Sequence, residues 1–128
     1  MNLLLDTCTC LWLATDPGQL SARATSLLIN PANVLWLSTV SVWEIILKNR
    51  IGKLPLTSDV EQMVNAQVQT NGVRVLPLEQ SHVLEGRTLP LHHHDPFDRL
   101  LVCQALAEGL TIVTPDQHIQ QYAVPTDW

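Results

Sequence analysis

The stretch HHHDPFDRLLVCQALAEG at residues 92–109 predicts one well-delimited helix with acidic residues at its start. Pro96 suits the first helical position, because its missing N–H would have no partner within the helix there. Asp95 can cap the free amides, and Asp98 falls in the first turn, where the helix dipole favours negative charge. Gly109 is typical of a residue that ends a helix. The stretch is either a capped core helix or one whose Asp98 points into a site shared with other acids.

The composition indicates one globular domain over residues 1–128, with 46% hydrophobic residues available for a core. The net charge is −5, which argues against a nucleic-acid binder that uses a broad basic face but not against acids gathered around a metal ion. No apolar run approaches the ~20 residues of a membrane span. The apolar start lacks basic residues and contains Asp6, so no signal peptide is predicted. We expect a cytoplasmic protein whose three cysteines (Cys8, Cys10 and Cys103) are reduced.

Apolar runs that are typical of buried strands alternate with helical segments along the whole chain. The predicted strands are 3–5, 34–38, 73–76 and 110–114, and the main predicted helices are 7–14, 21–29, 41–51, 58–70, 80–87, 96–108 and 117–122. This alternation predicts an α/β domain with a mostly parallel central sheet and right-handed crossovers.

Two of the helices carry capping-box patterns at their predicted starts. One is Ser41-Val42-Trp43-Glu44, in which Glu44 would bond back to the Ser41 amide; the other is Ser58-Asp59-Val60-Glu61. The first pattern gives Glu44 a purely structural explanation, which competes with a functional one.

Four carboxylates that are far apart in sequence are predicted to meet at one edge of the sheet. Asp6 and Asp116 follow apolar strands, and Glu44 and Asp98 lie near the starts of helices. The carboxyl ends of parallel strands, and the helices that follow them, begin at the same edge, where ligands of such sheets bind. Asp6 shows no capping pattern, since residue 9 is a threonine, and an acid that ends an apolar strand is costly without a purpose.

Four converging carboxylates predict a site for a hard divalent cation, Mg²⁺ or Mn²⁺, because like charges otherwise repel. The sequence has no soft-ligand zinc spacing and no glycine-rich phosphate loop. Such a site suits phosphoryl chemistry with a metal-activated water. A Mg²⁺-dependent phosphatase on another α/β fold is an alternative, but it would usually need a D-x-D pattern, and residues 6 and 8 are Asp and Cys.

Five stretches of the sequence follow the order and spacing of the motifs of a known protein family. They are LLLDTCTCLWL (3–13), STVSVWEI (38–45), RVLPL (74–78), LPLHHHDPFDRLLVCQALAEGLTIVTPD (89–116) and VPTDW (124–128). Together they resemble the PIN-domain ribonucleases, specifically the VapC-type toxins of bacterial type II toxin–antitoxin systems. The resemblance implies a three-layer α/β/α fold and Mg²⁺-dependent endonucleolytic cleavage of RNA. It also implies a homodimer held silent by a cognate antitoxin, with operator DNA reached only through that antitoxin.

The resemblance also assigns roles to the four acids. Asp6 and Asp98 are the foremost metal ligands, Glu44 is a ligand or a base that positions water, and Asp116 acts directly or through a water. Thr114-Pro115-Asp116 keeps the family's T-x-D form, although a proline at position 115 can shift the acid that follows it. The alternative of a catalytically inactive PIN-like interaction module predicts that at least one acid is missing, and none is.

Several neighbouring residues have both a structural and a functional interpretation. The hydroxyls of Thr7 and Thr114 can bond the acids or serve turns, and Arg99 can pair with the acids or contact a substrate phosphate. Asp95 is predicted to cap its helix, with an outer role at the site as the alternative. Three histidines, His92, His93 and His94, are expected in an exposed loop rather than in a zinc site, and one of them can contact RNA phosphate. Trp12, Trp36 and Trp43 are expected to be core or half-buried residues, or to line a partner's groove.

Overall fold

The computed structural model describes residues 1–128 and contains a five-stranded, all-parallel sheet. The strands are β1 (Asn2–Leu5), β2 (Val34–Ser38), β3 (Arg74–Leu76), β4 (Thr111–Val113) and β5 (Thr126–Asp127), in the order β3-β2-β1-β4-β5. The helices are α1 (Thr7–Thr15), α2 (Ala22–Ile29), α3 (Thr39–Arg50), α4 (Val60–Asn71), α5 (Gln80–Glu85), α6 (Pro96–Glu108) and α7 (Gln117–Gln120), with a 3-10 turn at Pro17–Gln19. The predicted α/β alternation is confirmed.

The side chains of β1 divide between two cores, one on each face of the sheet. Leu4 packs with Leu101 and Ile112 in one core, whereas Leu3 and Leu5 belong to the other. Successive strand residues point to opposite faces, so a strand buried on both sides reads as a continuous apolar run. Helices cover both faces, which gives the expected three-layer α/β/α arrangement.

The central strand also sets the position of the candidate site. β1 pairs in parallel with β2 on one side and with β4 on the other, so all three strands end at the same edge of the sheet. Asp6 follows β1 at this edge, and α3 begins directly after β2. The topology therefore gathers the residues that follow these strands.

The stretch that predicted a single helix behaves as expected. Pro96 opens α6, Asp95 accepts hydrogen bonds from the amides of Phe97 and Asp98, and Gly109 ends the helix with a φ of 67°. That left-handed conformation is open to glycine at little cost.

The prediction of a capping box that starts at Ser41 was wrong. α3 starts at Thr39, with the Ser38 side chain accepting a hydrogen bond from the Val40 amide. Ser41 is consequently buried inside the helix, and Glu44 lies in its second turn rather than its first. At the other predicted box, the N-cap of α4 is Asp59 rather than Ser58, and no side chain caps the helix.

Strand β5 was not predicted. It contains two residues, Thr126 and Asp127, and pairs with β4. Two residues are too few to produce a hydrophobic pattern.

No helix of the structure is long and apolar enough to cross a membrane.

Candidate active site

Asp6 lies between the end of β1 and the start of α1 and is held by donors from two elements. Its Oδ1 accepts from the Thr9 amide at 2.7 Å, and its Oδ2 accepts from the Thr114 hydroxyl at 2.5 Å. Only 3% of the residue is exposed, and burial raises the pKa of Asp6 in spite of these hydrogen bonds. The expectation that Asp6 has no capping role was wrong, because this aspartate is the N-cap of α1.

Glu44 reaches the same edge of the sheet from α3 and is also buried. Its Oε1 accepts from the Thr7 hydroxyl at 2.6 Å, and its Oε2 forms an ion pair with the Lys48 ammonium one turn later. The Thr7 oxygen lies 3.0 Å from the Ser41 hydroxyl as well. Glu44 is therefore bonded to Thr7 and Lys48, and not to the backbone amide that the capping box predicted.

Asp98 stands in the first turn of α6, and its pKa is raised to about 7. Burial is the main cause, and the carboxylates of Asp95, Asp116, Glu44 and Asp6 add to it in that order. Three of these, Asp116, Glu44 and Asp6, are predicted site acids, so all of the predicted acids lie within electrostatic reach of Asp98.

Asp116 follows β4 and is the N-cap of the short helix α7. Its Oδ1 accepts from the amides of His118 and Ile119, and its own amide donates to the Thr114 hydroxyl at 3.0 Å. Its charge raises the pKa of Asp6 and of Asp98. Asp116 is thus within electrostatic reach of both, with Pro115 preceding it.

The supporting residues divide into two groups. Thr7 and Thr114 bond directly to Glu44 and Asp6, and Asp95 caps α6. Arg99 instead donates to the carbonyls of Leu89 and Pro90 and to the Tyr122 hydroxyl, and it forms no ion pair with the acids. Its expected role as a partner of the acids is not seen, because its guanidinium points into the loop before α6.

Sequence reasoning missed one residue that contacts an acid and one that contacts His93. Lys48 follows Glu44 by one helical turn, and this spacing was the available signal. Tyr122 lies far along the chain and shows no pattern, yet its hydroxyl contacts His93 at 2.8 Å.

The three consecutive histidines have different surroundings. His93 is largely buried and its Nε2 lies 3.4 Å from Asp98 Oδ2, whereas His92 and His94 are exposed. Burial lowers the pKa of His93, with the nearby His118 as a second cause. The expected exposed loop is therefore correct for the first and third histidine and wrong for the second.

The carboxylates converge without forming a ready-made metal site. In their present positions, no three of the His, Cys, Asp and Glu side chains lie close enough together to hold a metal ion. Protein donors take up oxygens of Asp6, Glu44 and Asp116 instead. Binding of a cation by three or more of them consequently requires side-chain movement.

The order of these elements and the acid edge point to one family. A family model described as "PIN domain" matches residues 3–125. The chain belongs to the PIN-domain family. The match excludes the alternative of a phosphatase built on a different α/β fold. A search of curated proteins found no match.

Solved structures show the same PIN fold at low sequence identity. VapBC2 from Rickettsia felis, bound to a fragment of promoter DNA, is similar with a TM-score of 0.76 and 14% identity over 99% of this chain and 98% of that one. DNA-bound VapBC from Salmonella typhimurium gives 0.69 and 16% over 99% and 97%. FitAcB from Neisseria gonorrhoeae gives 0.65 and 19% over 97% and 95%. At such identities the likeness shows the fold alone.

Proposed function

We propose that this PIN domain is a Mg²⁺-dependent endoribonuclease and the toxin of a type II toxin–antitoxin system. The observation that carries the proposal is the meeting of Asp6, Glu44, Asp98 and Asp116 at one edge of the sheet, where Asp98 is raised to a pKa of about 7 by burial and by the other carboxylates. Uncompensated acids of this kind weaken a fold, and a cation that binds them removes the penalty.

The chemistry of the donors fits Mg²⁺, with Mn²⁺ as a substitute. All four groups are carboxylates, and hard divalent cations prefer such oxygens. Asp98 is the best placed, because no protein donor reaches its Oδ1. Asp6 is the second ligand, Glu44 is a ligand or the group that positions water, and Asp116 contributes directly or through a water. The Oδ2 of Asp116 is free, since its Oδ1 caps α7.

The bound metal would lower the pKa of a water and offset charge on the scissile phosphate. The protein's own contribution is orientation. Thr9 and Thr114 fix the two oxygens of Asp6, and Thr7 fixes one oxygen of Glu44. Glu44 Oε2 is the candidate acceptor for a proton from the attacking water, since its partner Lys48 is half-exposed and free to swing away.

Lys48 has a second task in this proposal. Its ammonium forms an ion pair with Glu44, one of the four acids, and the carboxylates of Glu44 and Asp95 raise the pKa of Lys48. The charge offsets that of the buried Glu44 carboxylate in the absence of metal, and it is available to an RNA phosphate once Glu44 is engaged elsewhere.

The toxin assignment is supported by the kind of assembly in which the same fold is found. The similar structures from Rickettsia felis and Salmonella typhimurium are VapBC complexes bound to DNA. For this chain we propose a cytoplasmic homodimer with a cognate antitoxin that places a basic side chain against the acids. The net charge of this chain, −5, offers no basic face for DNA, so operator DNA would be reached only through the antitoxin.

An inactive interaction module is the second candidate, favoured by the finding that no three acidic side chains yet lie close enough to hold a metal. An RNA-cleavage assay separates the two. The purified chain is incubated with a mixed RNA pool and Mg²⁺, beside an EDTA control, Asp98→Asn and the control Asp59→Asn, whose carboxylate is exposed and makes no capping bond.

The nuclease proposal expects cleavage by the wild type and by Asp59→Asn, and loss of cleavage with EDTA and in Asp98→Asn. Equal inertness of all samples, together with no change in Tm on adding Mg²⁺ or Mn²⁺, would favour the interaction module. Cleavage that persists in Asp98→Asn would reveal a contaminating nuclease.

A further inference from the structure

One imidazole beside the acids has no role in the proposed site. His93 precedes α6, and it alone of the three consecutive histidines contacts a candidate ligand, with Nε2 3.4 Å from Asp98 Oδ2. We propose that His93 is a positioning residue for Asp98: Tyr122 fixes its tautomer, and its Nε2–H then holds Oδ2 so that Oδ1 is presented to the cation. This inference rests on the proposed metal-dependent function.

The tautomer follows from counting protons along a chain of hydrogen bonds. The Arg99 guanidinium can only donate, so the Tyr122 oxygen accepts from it at 3.0 Å. The single hydroxyl proton of Tyr122 is then free to donate to His93 Nδ1, which lies 2.8 Å away. A neutral imidazole that accepts at Nδ1 carries its proton on Nε2, the atom that faces Asp98.

The opposite tautomer has two costs. It would leave the proton of the buried Tyr122 hydroxyl with no acceptor, and buried donors without partners are disfavoured. It would also turn the Nε2 lone pair of His93 toward an Asp98 carboxylate oxygen, and these two acceptors repel each other when Asp98 is ionised. The geometry thus selects the Nε2–H form whenever Asp98 is charged.

The ring is held by more than its hydrogen bonds. It stacks on His118 with centroids 5.4 Å apart and planes at 5°, and it also packs against the Tyr122 ring. Arg99 fastens the preceding loop through the carbonyls of Leu89 and Pro90. The imidazole therefore has a fixed direction relative to α6.

The contact with Asp98 is longer than the usual range of about 2.7–3.2 Å. Its main contribution is therefore to direct the carboxylate rather than to bind it strongly. Because no protein donor reaches Oδ1, an Nε2–H that engages Oδ2 decides which oxygen stays available. Groups that orient metal ligands in this way commonly change metal affinity by about tenfold or more.

The first test is spectroscopic and needs no activity. In ¹⁵N-histidine-labelled protein at a fixed pH of about 8, the His93 shifts should show Nδ1 unprotonated and Nε2 protonated. Tyr122→Phe, which removes only the hydroxyl, should move the shifts toward a mixture of tautomers. A pure Nδ1–H signal in the wild type would overturn the proposal.

The second test measures Mn²⁺ affinity by electron paramagnetic resonance, together with RNA cleavage. We expect His93→Phe, which keeps a ring for stacking, to bind Mn²⁺ about tenfold more weakly. We expect Tyr122→Phe to show a smaller loss and His93→Gln, whose amide can still donate to Asp98, a partial rescue. His94→Phe is the matched control, because His94 is the exposed neighbour.

Kinetics distinguish positioning from a substrate contact. In His93→Phe the Mg²⁺ concentration for half-maximal cleavage should rise, while KM for RNA stays unchanged. Unchanged Mn²⁺ affinity with a raised KM would assign His93 to the RNA and overturn the proposal. A wild type that binds no Mn²⁺ and cleaves no RNA would instead refute the proposed function, a result that the His93 variants alone cannot produce. If His93→Phe does not fold, Tyr122→Phe and the tautomer measurement still decide the question.

Discussion

Replacing Asp98 by asparagine should stabilise the metal-free protein, although it should abolish RNA cleavage. The pKa of Asp98 is raised from its ordinary value of 3.8 to about 7, because the side chain is buried beside four other carboxylates. The folded chain therefore keeps this proton to a higher pH than the unfolded chain does. Raising the pH through the interval between these two values lowers the free energy of unfolding.

The size of the effect follows from the shift. At about 1.4 kcal/mol for each pKa unit, the change from 3.8 to about 7 sets an upper limit of about 4 kcal/mol at high pH. The Asp98 side chain is 18% exposed, so solvent screens part of the repulsion. We therefore expect a gain of about 1–2 kcal/mol for Asp98→Asn, or a Tm higher by about 3–8 °C.

The assay is urea unfolding of wild type and Asp98→Asn in EDTA between pH 5 and pH 8.5. The advantage of Asp98→Asn should already be present at pH 5, where the unfolded chain has lost the Asp98 proton and the folded chain has kept it. It should grow as the pH rises to 7 and level off above that value, where Asp98 is ionised in both states. Asp59→Asn, which changes an exposed acid, should show no such divergence. Mg²⁺ should raise the Tm of the wild type and leave Asp98→Asn unchanged. A stability difference that is constant across this pH range would refute the argument that repulsion at Asp98 destabilises the fold.

Three further predictions concern stability. Lys48→Met removes the counter-charge of the buried Glu44. In differential scanning fluorimetry it should therefore lower the Tm without metal and enlarge the rise in Tm that Mg²⁺ produces. An unchanged Mg²⁺ response would count against this. His82→Ala should cost about 2–4 kcal/mol in urea unfolding, since it opens a cavity and leaves the Glu79 amide without its acceptor. Gly109→Ala should cost about 1 kcal/mol in the same measurement, because its φ of 67° is unfavourable for a residue with a Cβ.

Most of the fold could be predicted because its signals are local. The stretch at 92–109 carries its own cap, first-turn proline and terminal glycine, and all three occupy those positions in α6. Leu3, Leu4 and Leu5 form a continuous apolar run because β1 is buried on both faces. The four predicted strands follow from such runs, and their parallel order follows from the alternation with helices.

The failures have a physical cause in common. A serine followed three residues later by a glutamate is a capping signal only at a helix start, and α3 had already begun at Thr39. Strand β5 depends on pairing with β4, and Tyr122 reaches His93 from 29 residues away. Such contacts are set by the folded topology. The sequence could place Asp98 at the site but could not identify the imidazole beside it.

A structural and a functional interpretation of the same acid do not exclude each other. Asp6 caps α1 and Asp116 caps α7, and both raise the pKa of Asp98. In each case the cap uses Oδ1 for backbone amides, which fixes the carboxylate and leaves Oδ2 directed elsewhere. A capping hydrogen bond to Oδ1 thus fixes the direction of Oδ2 as well. The same contact that stabilises the helix therefore orients the carboxylate for binding a ligand. For this reason a capping pattern in the sequence is not evidence against a catalytic role at the carboxyl edge of a parallel sheet.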